Sequence, residues 1–196
     1  MSLTLFLDTT SNAHIGLLKD GEFIGFEKGS EQKASQKFHY RVYELLEKNK
    51  LKLAEIKHIF QMAGPGSYTG MRLSEGFANI LEINDTRVNS LYHFEIPSLL
   101  GEMDYTFISN AFKKEYFIAD YTDGQLSKSL VAHKEFQSHK KLYSHEAFED
   151  IEASSTLELI IQNPQLIETA IQNDTKRELY YYRALDDEFK VKAAQS

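Results

Sequence analysis

The sequence contains no cysteine among its 196 residues. This absence excludes a disulfide-stapled scaffold, a thiolate metal site and a cysteine nucleophile. Long apolar runs are also missing, since none approaches the roughly 18–20 residues of a membrane-spanning helix, and we expect no membrane partner. Residues 1–8 lack the basic and long apolar regions of a signal peptide. We therefore expect a cytoplasmic protein.

Basic residues are outnumbered. The chain has 22 Lys and Arg against 29 Asp and Glu, and its formal net charge is −7. Such a chain has no large basic surface for nucleic acid, so we expect it to bind RNA or DNA weakly by itself. With 42% hydrophobic residues it can still bury a core. Its length suits one domain or two small halves.

The most distinctive stretch present is rich in glycine. Three of the ten glycines and one of the three prolines lie in residues 64–70, Gly-Pro-Gly-Ser-Tyr-Thr-Gly. A strand-like apolar run over residues 56–62 precedes it, and a helix-like run over 69–82 follows. Because glycine lets other groups approach the backbone closely, the pattern predicts a strand, a tight loop and a helix. The close neighbour is a phosphate, another part of this chain or another protein.

The first half of the chain has strong strand and helix signals. Residues 3–7 are rich in strand formers and end in a polar run that begins at Asp8. An Asp-Gly turn at residues 20–21 separates two further strands, which predicts an antiparallel three-stranded meander. A helix over residues 35–50, with Ser35 as its N-cap, carries one apolar stripe. The stripe consists of Phe38, Val42, Leu45 and Leu46.

The second half repeats part of this pattern. A strand over 105–109, a polar residue at Asn110, a strand over 116–121, an Asp-Gly turn and a strand over 126–132 follow one another. This order predicts an internal duplication. Beyond residue 132 the repeat fades. A short helix is expected from Asn163-Pro164 to about residue 171, and residues 176–185 suit either a strand or an amphipathic helix.

Three stretches resemble the TsaB (YeaZ) family. They are Leu-Phe-Leu-Asp-Thr-Thr-Ser at residues 5–11, Gly-Pro-Gly-Ser-Tyr-Thr-Gly-Met-Arg at 64–72, and the strand pair near 110–121. The likeness is good over about residues 1–95 and thin beyond, where the chain is short for the family. The resemblance implies a duplicated actin-like (ASKHA, RNase H-like) α/β fold with mixed sheets flanked by helices. It implies an N-terminal lobe over residues 1–98 and a smaller, shortened lobe over 99–196.

The resemblance also implies a function. Such a chain is a non-catalytic scaffold and dimerisation subunit that binds a TsaD-type enzyme. That enzyme transfers a threonylcarbamoyl group to adenosine 37 of tRNA, forming t6A. A TsaE-type ATPase joins the assembly, tRNA is reached only through the complex, and a homodimer forms when the enzyme is absent. No intrinsic cofactor or metal is implied, and ATP or ADP would lie at the complex interface.

The two N-terminal helices are the predicted partner interface. On the second helix, small residues recur every four positions and allow close approach of another backbone. Tyrosine and Met side chains lie off the apolar stripes, as interface anchors often do. The alternative, in which the first stripe faces the chain's own core, stays open. The predicted interface residues are Phe38, Tyr40, Val42, Tyr43, Gly70, Met71, Ser74, Phe77 and Ala78.

An autonomous ASKHA nucleotide-binding ATPase or kinase-like protein is the second hypothesis. Asp8 lies where such ATPases have a phosphate loop whose Asp positions Mg²⁺-bound water. However, no glycine occurs between Asp8 and Asn12, which favours a simple local turn. No Lys follows the glycine motif as in a Walker loop. The candidate phosphate-loop residues are Asp8, Thr9, Thr10, Gly64, Gly66, Ser67 and Thr69.

A peptidase is a third hypothesis, suggested only by distant kinship to enzymes once called glycoproteases. On the first helix His39 has Tyr43, and no second His, four residues later. A lone imidazole is a poor metal site. The sequence also departs from the family at Ala34, where many members have His, and at residues 110–112, Asn-Ala-Phe instead of Asp-Ala-Arg. These departures leave the details of the surface open.

Overall fold

The structure is a computed structural model that describes residues 2–29 and 37–182. The first half forms a five-stranded sheet and two helices, α1 (Phe38–Lys48) and α2 (Tyr68–Glu82). The strands are β1 (Leu3–Asp8), β2 (His14–Lys19), β3 (Glu22–Glu27), β4 (Ile56–Met62) and β5 (Arg87–Leu91). Among the described residues, no helix is both long enough and apolar enough to cross a membrane.

The second half forms another five-stranded sheet. Its strands are β6 (Tyr105–Ala111), β7 (Glu115–Thr122), β8 (Gln125–Ala132), β9 (Leu142–Ser144) and β10 (Ser154–Ser155). The described chain has three shorter α-helices, α3 (Ile96–Leu99), α4 (Thr156–Gln162) and α5 (Gln165–Gln172), besides short 3-10 helices.

The two sheets have the same topology. The first has the order β3-β2-β1-β4-β5 and the second β8-β7-β6-β9-β10. In both, the first three strands are antiparallel neighbours and the last two are added in parallel. The predicted meander and the predicted duplication are therefore confirmed. The expectation that the repeat fades is wrong, because β9 and β10 continue it. Strands of three and two residues are too short to show an alternating pattern.

Both faces of the first sheet are covered. β1 is buried along its whole length, as expected when alternate side chains enter two cores. Leu5 and Leu7 lie in the core beneath α1 and α2. Phe6 lies in the core formed with α4 and α5. Two helices from beyond residue 99 thus cross back onto the first sheet, while the boundary between the lobes stays a prediction.

The apolar stripe of α1 faces the chain's own core. Phe38, Val42, Leu45 and Leu46 are each at most 4% exposed and pack on the first sheet. Of the two alternatives for this stripe, packing against the sheet is confirmed. The described helix begins at Phe38, and the predicted N-cap at residue 35 lies outside the described residues.

The chain after α5 runs along the β5 edge of the first sheet. Ser90 N donates to the Thr175 carbonyl oxygen at 2.9 Å, and Tyr180 N donates to the Ala63 carbonyl oxygen at 2.8 Å. We call residues 174–182 the C-terminal segment. It is neither strand nor helix, so that prediction for residues 176–185 is wrong where the structure describes them. The segment instead satisfies its backbone on β5 and on the end of β4.

Candidate functional site

The glycine motif connects β4 to α2, as the sequence predicts. Gly64 has a φ of 112° and is followed by a cis peptide bond to Pro65. Helix α2 then begins at its N-cap Ser67, whose Oγ accepts a hydrogen bond from Gly70 N at 3.2 Å. Such a cap satisfies one of the free N–H groups at a helix start. The motif is thus a tight turn between the end of β4 and the capped start of α2.

The close neighbours of this motif belong to the chain itself. A Cβ on Gly66 would overlap the Thr10 carbonyl oxygen, and one on Gly70 would overlap that of Thr9. A Cβ on Gly64 would lie 2.6 Å from the Tyr180 carbonyl oxygen. The sequence left three possible neighbours open: a phosphate, another part of this chain or another protein. For all three glycines, the neighbour is another part of this chain.

The small-residue stripe on α2 serves the same contact. Ser74 Oγ accepts a hydrogen bond from Thr9 Oγ1 at 2.9 Å, and Ser74 and Ala78 are at most 1% exposed. The interpretation of Gly70, Ser74 and Ala78 as a docking stripe for a partner helix is therefore wrong. Gly70 and Ser74 admit the loop that follows β1, where a larger side chain would collide with that backbone, and Ala78 packs in the core on the first sheet.

The carboxylate of Asp8 is buried and fully engaged. Its Oδ1 accepts hydrogen bonds from Thr10 N at 3.1 Å and from Thr10 Oγ1 at 2.6 Å. Its Oδ2 lies 3.4 Å from His93 Nε2. Burial alone would raise the pKa of Asp8, but the nearby His93 and His14 and these hydrogen bonds outweigh it and hold the pKa well below its usual range. Asp8 is therefore an anion at neutral pH.

His93 completes this network and links it to the second half of the chain. Its Nε2 lies 2.9 Å from Thr10 Oγ1, and its Nδ1 lies 2.9 Å from Thr156 Oγ1. Thr10 already donates its hydroxyl proton to Asp8, and Thr156 donates its own to the Ser144 carbonyl oxygen at 3.2 Å. Both ring nitrogens of His93 therefore lie within hydrogen-bond distance of a threonine hydroxyl, and the network joins Asp8 to the second half of the chain.

A cavity of about 770 Å³ opens above this network between the two halves. Four candidate phosphate-loop residues line it, namely Thr10, Gly66, Ser67 and Thr69, whereas Asp8, Thr9 and Gly64 are not among its lining residues. The structure thus brings the two predicted loops together, since Ser67 N donates to the Thr10 carbonyl oxygen at 2.6 Å. A cavity of this size suits a small-molecule ligand.

The cavity wall also contains residues that sequence reasoning did not select. His14, His145 and Glu146 line it. Burial lowers the pKa of His145 to about 3, and that of His14 is lowered mainly by the same cause. Glu146 Oε2 accepts from Asn110 Nδ2 at 3.1 Å and so binds the end of β6. No local motif identifies these residues, because each is isolated in the sequence and only the fold brings them together.

The predicted partner interface divides into buried and exposed residues. Phe38, Val42, Met71, Ser74 and Ala78 are at most 2% exposed, so they are not available to a partner. Phe77 is partly buried and packs edge-on against Phe38, with ring centroids 5.5 Å apart, and Gly70 contacts Thr9. The remaining exposed apolar residues on α1 and at α2, which we call the α1–α2 surface, are Tyr40 (59%), Tyr43 (61%), Ile80 (61%) and Ile83 (83%).

The Asp8, His93 and Thr10 cluster does not have the geometry of a hydrolase triad. In a triad the hydroxyl and the carboxylate bind opposite nitrogens of the imidazole. Here both lie on the Nε2 side, and Thr10 donates to Asp8. The His93 ring is also 0% exposed. Within residues 2–29 and 37–182, no group of three His, Asp or Glu side chains is placed to hold a metal ion.

Comparison with solved structures identifies the fold. An uncharacterized protein with similarity to peptidase YEAZ from Pseudomonas aeruginosa is 16% identical, with a TM-score of 0.61, and the match covers 92% of this chain and 100% of that one. YeaZ from Pseudomonas aeruginosa is 15% identical, with a TM-score of 0.60, and the match covers 88% and 94%. This chain has the YeaZ fold. No protein-family model and no curated protein matches the sequence.

The YeaZ fold agrees with the architecture. Two mixed sheets of the same order, flanked by helices, form the duplicated actin-like α/β fold that the sequence resemblance implies. The match extends over nearly the whole of both chains, so the thinner sequence likeness beyond residue 95 does not mark a different fold.

Proposed function

We propose that this chain is a TsaB-type accessory subunit that binds a TsaD-type enzyme and supports its threonylcarbamoylation of tRNA adenosine 37. The observation that carries the proposal is the YeaZ fold over nearly the full length, together with the Gly-Pro-Gly-Ser-Tyr-Thr-Gly motif at the start of α2. In this proposal the chain is cytoplasmic and non-catalytic. The TsaE-type ATPase and tRNA join only in the complex, where ATP or ADP lies at the subunit interface.

The internal contacts of the two loops support an accessory function. An actin-like ATPase needs its first-loop Asp available to metal-bound water and its glycine backbone available to phosphate. Here Asp8 is 1% exposed and bonded to Thr10. Gly66 and Gly70 face the carbonyl oxygens of Thr10 and Thr9. The Asp8 carboxylate and the Cα positions of Gly66 and Gly70 are therefore already in contact with the chain itself, although Thr10, Gly66, Ser67 and Thr69 still line the cavity.

The α1–α2 surface is the proposed docking site, and a homodimer would use it when the enzyme is absent. Its four exposed side chains are apolar or aromatic and come from two neighbouring helices. Aromatic and large apolar residues carry much of the binding energy in protein interfaces. This surface retains Tyr40 and Tyr43 from the sequence prediction and adds Ile80 and Ile83.

The test is co-purification of the chain with its cognate TsaD-type enzyme, followed by measurement of t6A in tRNA digests by mass spectrometry. We expect the wild-type chain to co-elute and to raise t6A formation. The double variant Tyr43→Arg, Ile80→Arg should weaken association by roughly thirtyfold or more, because charges enter an apolar contact. Leu99→Arg, on an exposed apolar residue (50%) outside the surface, is the control.

The outcomes test the proposed function and the proposed docking surface separately. If the wild-type chain neither binds the enzyme nor raises t6A, the proposed function is wrong. If the double variant binds as well as the control, the docking surface lies elsewhere.

The alternative is an autonomous nucleotide-binding ATPase or kinase-like protein, which the cavity between the halves would favour. Calorimetry of the isolated chain with Mg²⁺-ATP tests it. Tight binding with turnover would support this alternative and contradict the accessory function.

A further inference from the structure

Lys128, on the edge strand β8, places its ammonium group among three aromatic rings. Its Nζ lies 4.4 Å from the ring centroid of Phe94, 4.4 Å from that of Tyr180 and 5.9 Å from that of Tyr92. Cations within about 6 Å of an aromatic face are attracted by the ring quadrupole. Three such rings around one nitrogen form an aromatic box, by which we mean Tyr92, Phe94 and Tyr180.

The rings are arranged as two walls. Tyr92 and Phe94 are stacked, with centroids 4.9 Å apart and planes 25° apart. Tyr180 stands nearly perpendicular to both, at 70° and 79°. The Tyr92 hydroxyl donates to the Glu178 carbonyl oxygen at 2.9 Å, which holds the box against the C-terminal segment. The box is therefore built from the turn after β5 and the C-terminal segment, and it receives a side chain from the second sheet.

Lys128 has no ion-pair partner among the described residues, unlike the lysines at positions 28, 140, 141 and 176. The carboxylate that acts on it, Glu95, is already paired with Arg177 at 2.9 Å. Burial lowers the pKa of Lys128, against the weaker opposing effect of Glu95. The aromatic faces thus take the place of a carboxylate partner for this ammonium group.

We propose that Tyr92, Phe94 and Tyr180 form a binding site for an alkylammonium group, which Lys128 fills, and that this contact fastens the C-terminal segment to the second sheet. The ligand class follows from the walls, because aromatic faces bind a cation without needing its N–H donors. Primary and fully methylated ammonium groups should both fit. The proposal does not depend on the accessory function proposed above.

The first test is limited proteolysis with trypsin at Lys176 and Arg177, followed by intact-mass spectrometry. Lys128→Gln removes the charge and should speed release of the C-terminal fragment roughly two- to thirtyfold, because the segment opens more often. Lys128→Arg keeps a cation that binds aromatic faces and should cleave at the wild-type rate. Lys134→Gln, at a nearby exposed lysine, is the matched control. Wild-type resistance in Lys128→Gln would overturn the proposal.

The second test is chemical rescue. Lys128→Ala should leave the box empty, and tetramethylammonium chloride should then raise its melting temperature by about 1–3 °C above an equal concentration of sodium chloride. Wild-type protein, whose box is filled, should show no such difference. An equal response of both proteins, or no response of the variant, would show that the box does not bind ammonium groups.

Discussion

Replacing Asp8 by Asn tests the buried network at its charged centre. The two side chains have nearly the same shape, so the change removes charge and hydrogen-bond acceptance with little change in volume. The introduced amide would point a donor toward Thr10, whose N–H and hydroxyl already donate to the carboxylate, or toward His93, whose Nε2 lies 3.4 Å from it. The Thr10 donors would then lose their acceptor, and the His93 ring would lose its carboxylate neighbour.

The expected cost follows from this loss. Leaving a buried hydrogen-bond donor without its acceptor costs about 1–3 kcal/mol, and more where the acceptor is charged, so we expect about 3–5 kcal/mol for the two Thr10 donors together. Single domains are stable by only about 5–15 kcal/mol. For a chain of this length the change corresponds to a fall in melting temperature of about 6–20 °C. The variant should still fold but should unfold at clearly lower urea concentration.

Urea unfolding at pH 7, followed by circular dichroism, measures this difference. Asp123→Asn is the matched control, because Asp123 lies in an exposed turn with a φ of 50°, which Asn tolerates. The control should stay within about 0.5 kcal/mol of wild type. If Asp8→Asn also stays within that range, the carboxylate is not paired as described.

The pH dependence provides a second signature of the same pair. The pKa of Asp8 is lowered from its ordinary value of 3.8. Its contribution to stability is therefore present above pH 3.8 and is lost as the pH falls through the lower folded-state pKa. The gap between wild type and Asp8→Asn should narrow below pH 3.8. A gap that is constant with pH would show that the effect of the substitution is steric.

Three further substitutions test neighbouring features. Gly70→Leu should destabilise the chain by about 1–3 kcal/mol or more, measured by urea unfolding, because its side chain would collide with the Thr9 carbonyl; unchanged stability would contradict this contact. His145→Phe should make the free energy of unfolding less sensitive to acid. Folding lowers the pKa of His145 from 6.5 to about 3, so the wild type loses up to about 1.4 kcal/mol of stability for each unit by which the pH falls between these values. If wild type and variant lose stability with falling pH at the same rate, this reasoning is wrong. Ser90→Ala removes its hydrogen bonds with Arg177 N at 2.6 Å and O at 3.0 Å, and hydrogen exchange of the C-terminal segment should accelerate about five- to thirtyfold; unchanged exchange would show that the segment is held elsewhere.

Local patterns in the sequence predict most of the first half and the first three strands of the second. The Asp-Gly turns at residues 20–21 and 123–124 both have positive φ at each residue, as the hairpin signal requires. Helix α4 is not among the elements predicted from the sequence, although Ser155 and Glu158 have the spacing of an N-terminal capping motif. In the structure Ser155 Oγ accepts a hydrogen bond from Glu158 N at 3.2 Å. That helix was recoverable from the sequence, whereas β9 and β10 are too short for any periodic signal.

The spacing of its glycines predicts that the glycine motif is a tight strand-to-helix turn with a close neighbour, because glycine spacing reports local backbone requirements. That the neighbour of Gly66 and Gly70 is the loop after β1 follows from the folded structure alone. Thr9 and Ser74 are 65 positions apart, and Thr10 and His93 are 83 apart. Contacts over such separations depend on how the sheets and helices assemble, and no local pattern encodes them. The same limit explains why the buried Asp8–His93 pair and the aromatic box around Lys128 emerge only once the chain is folded.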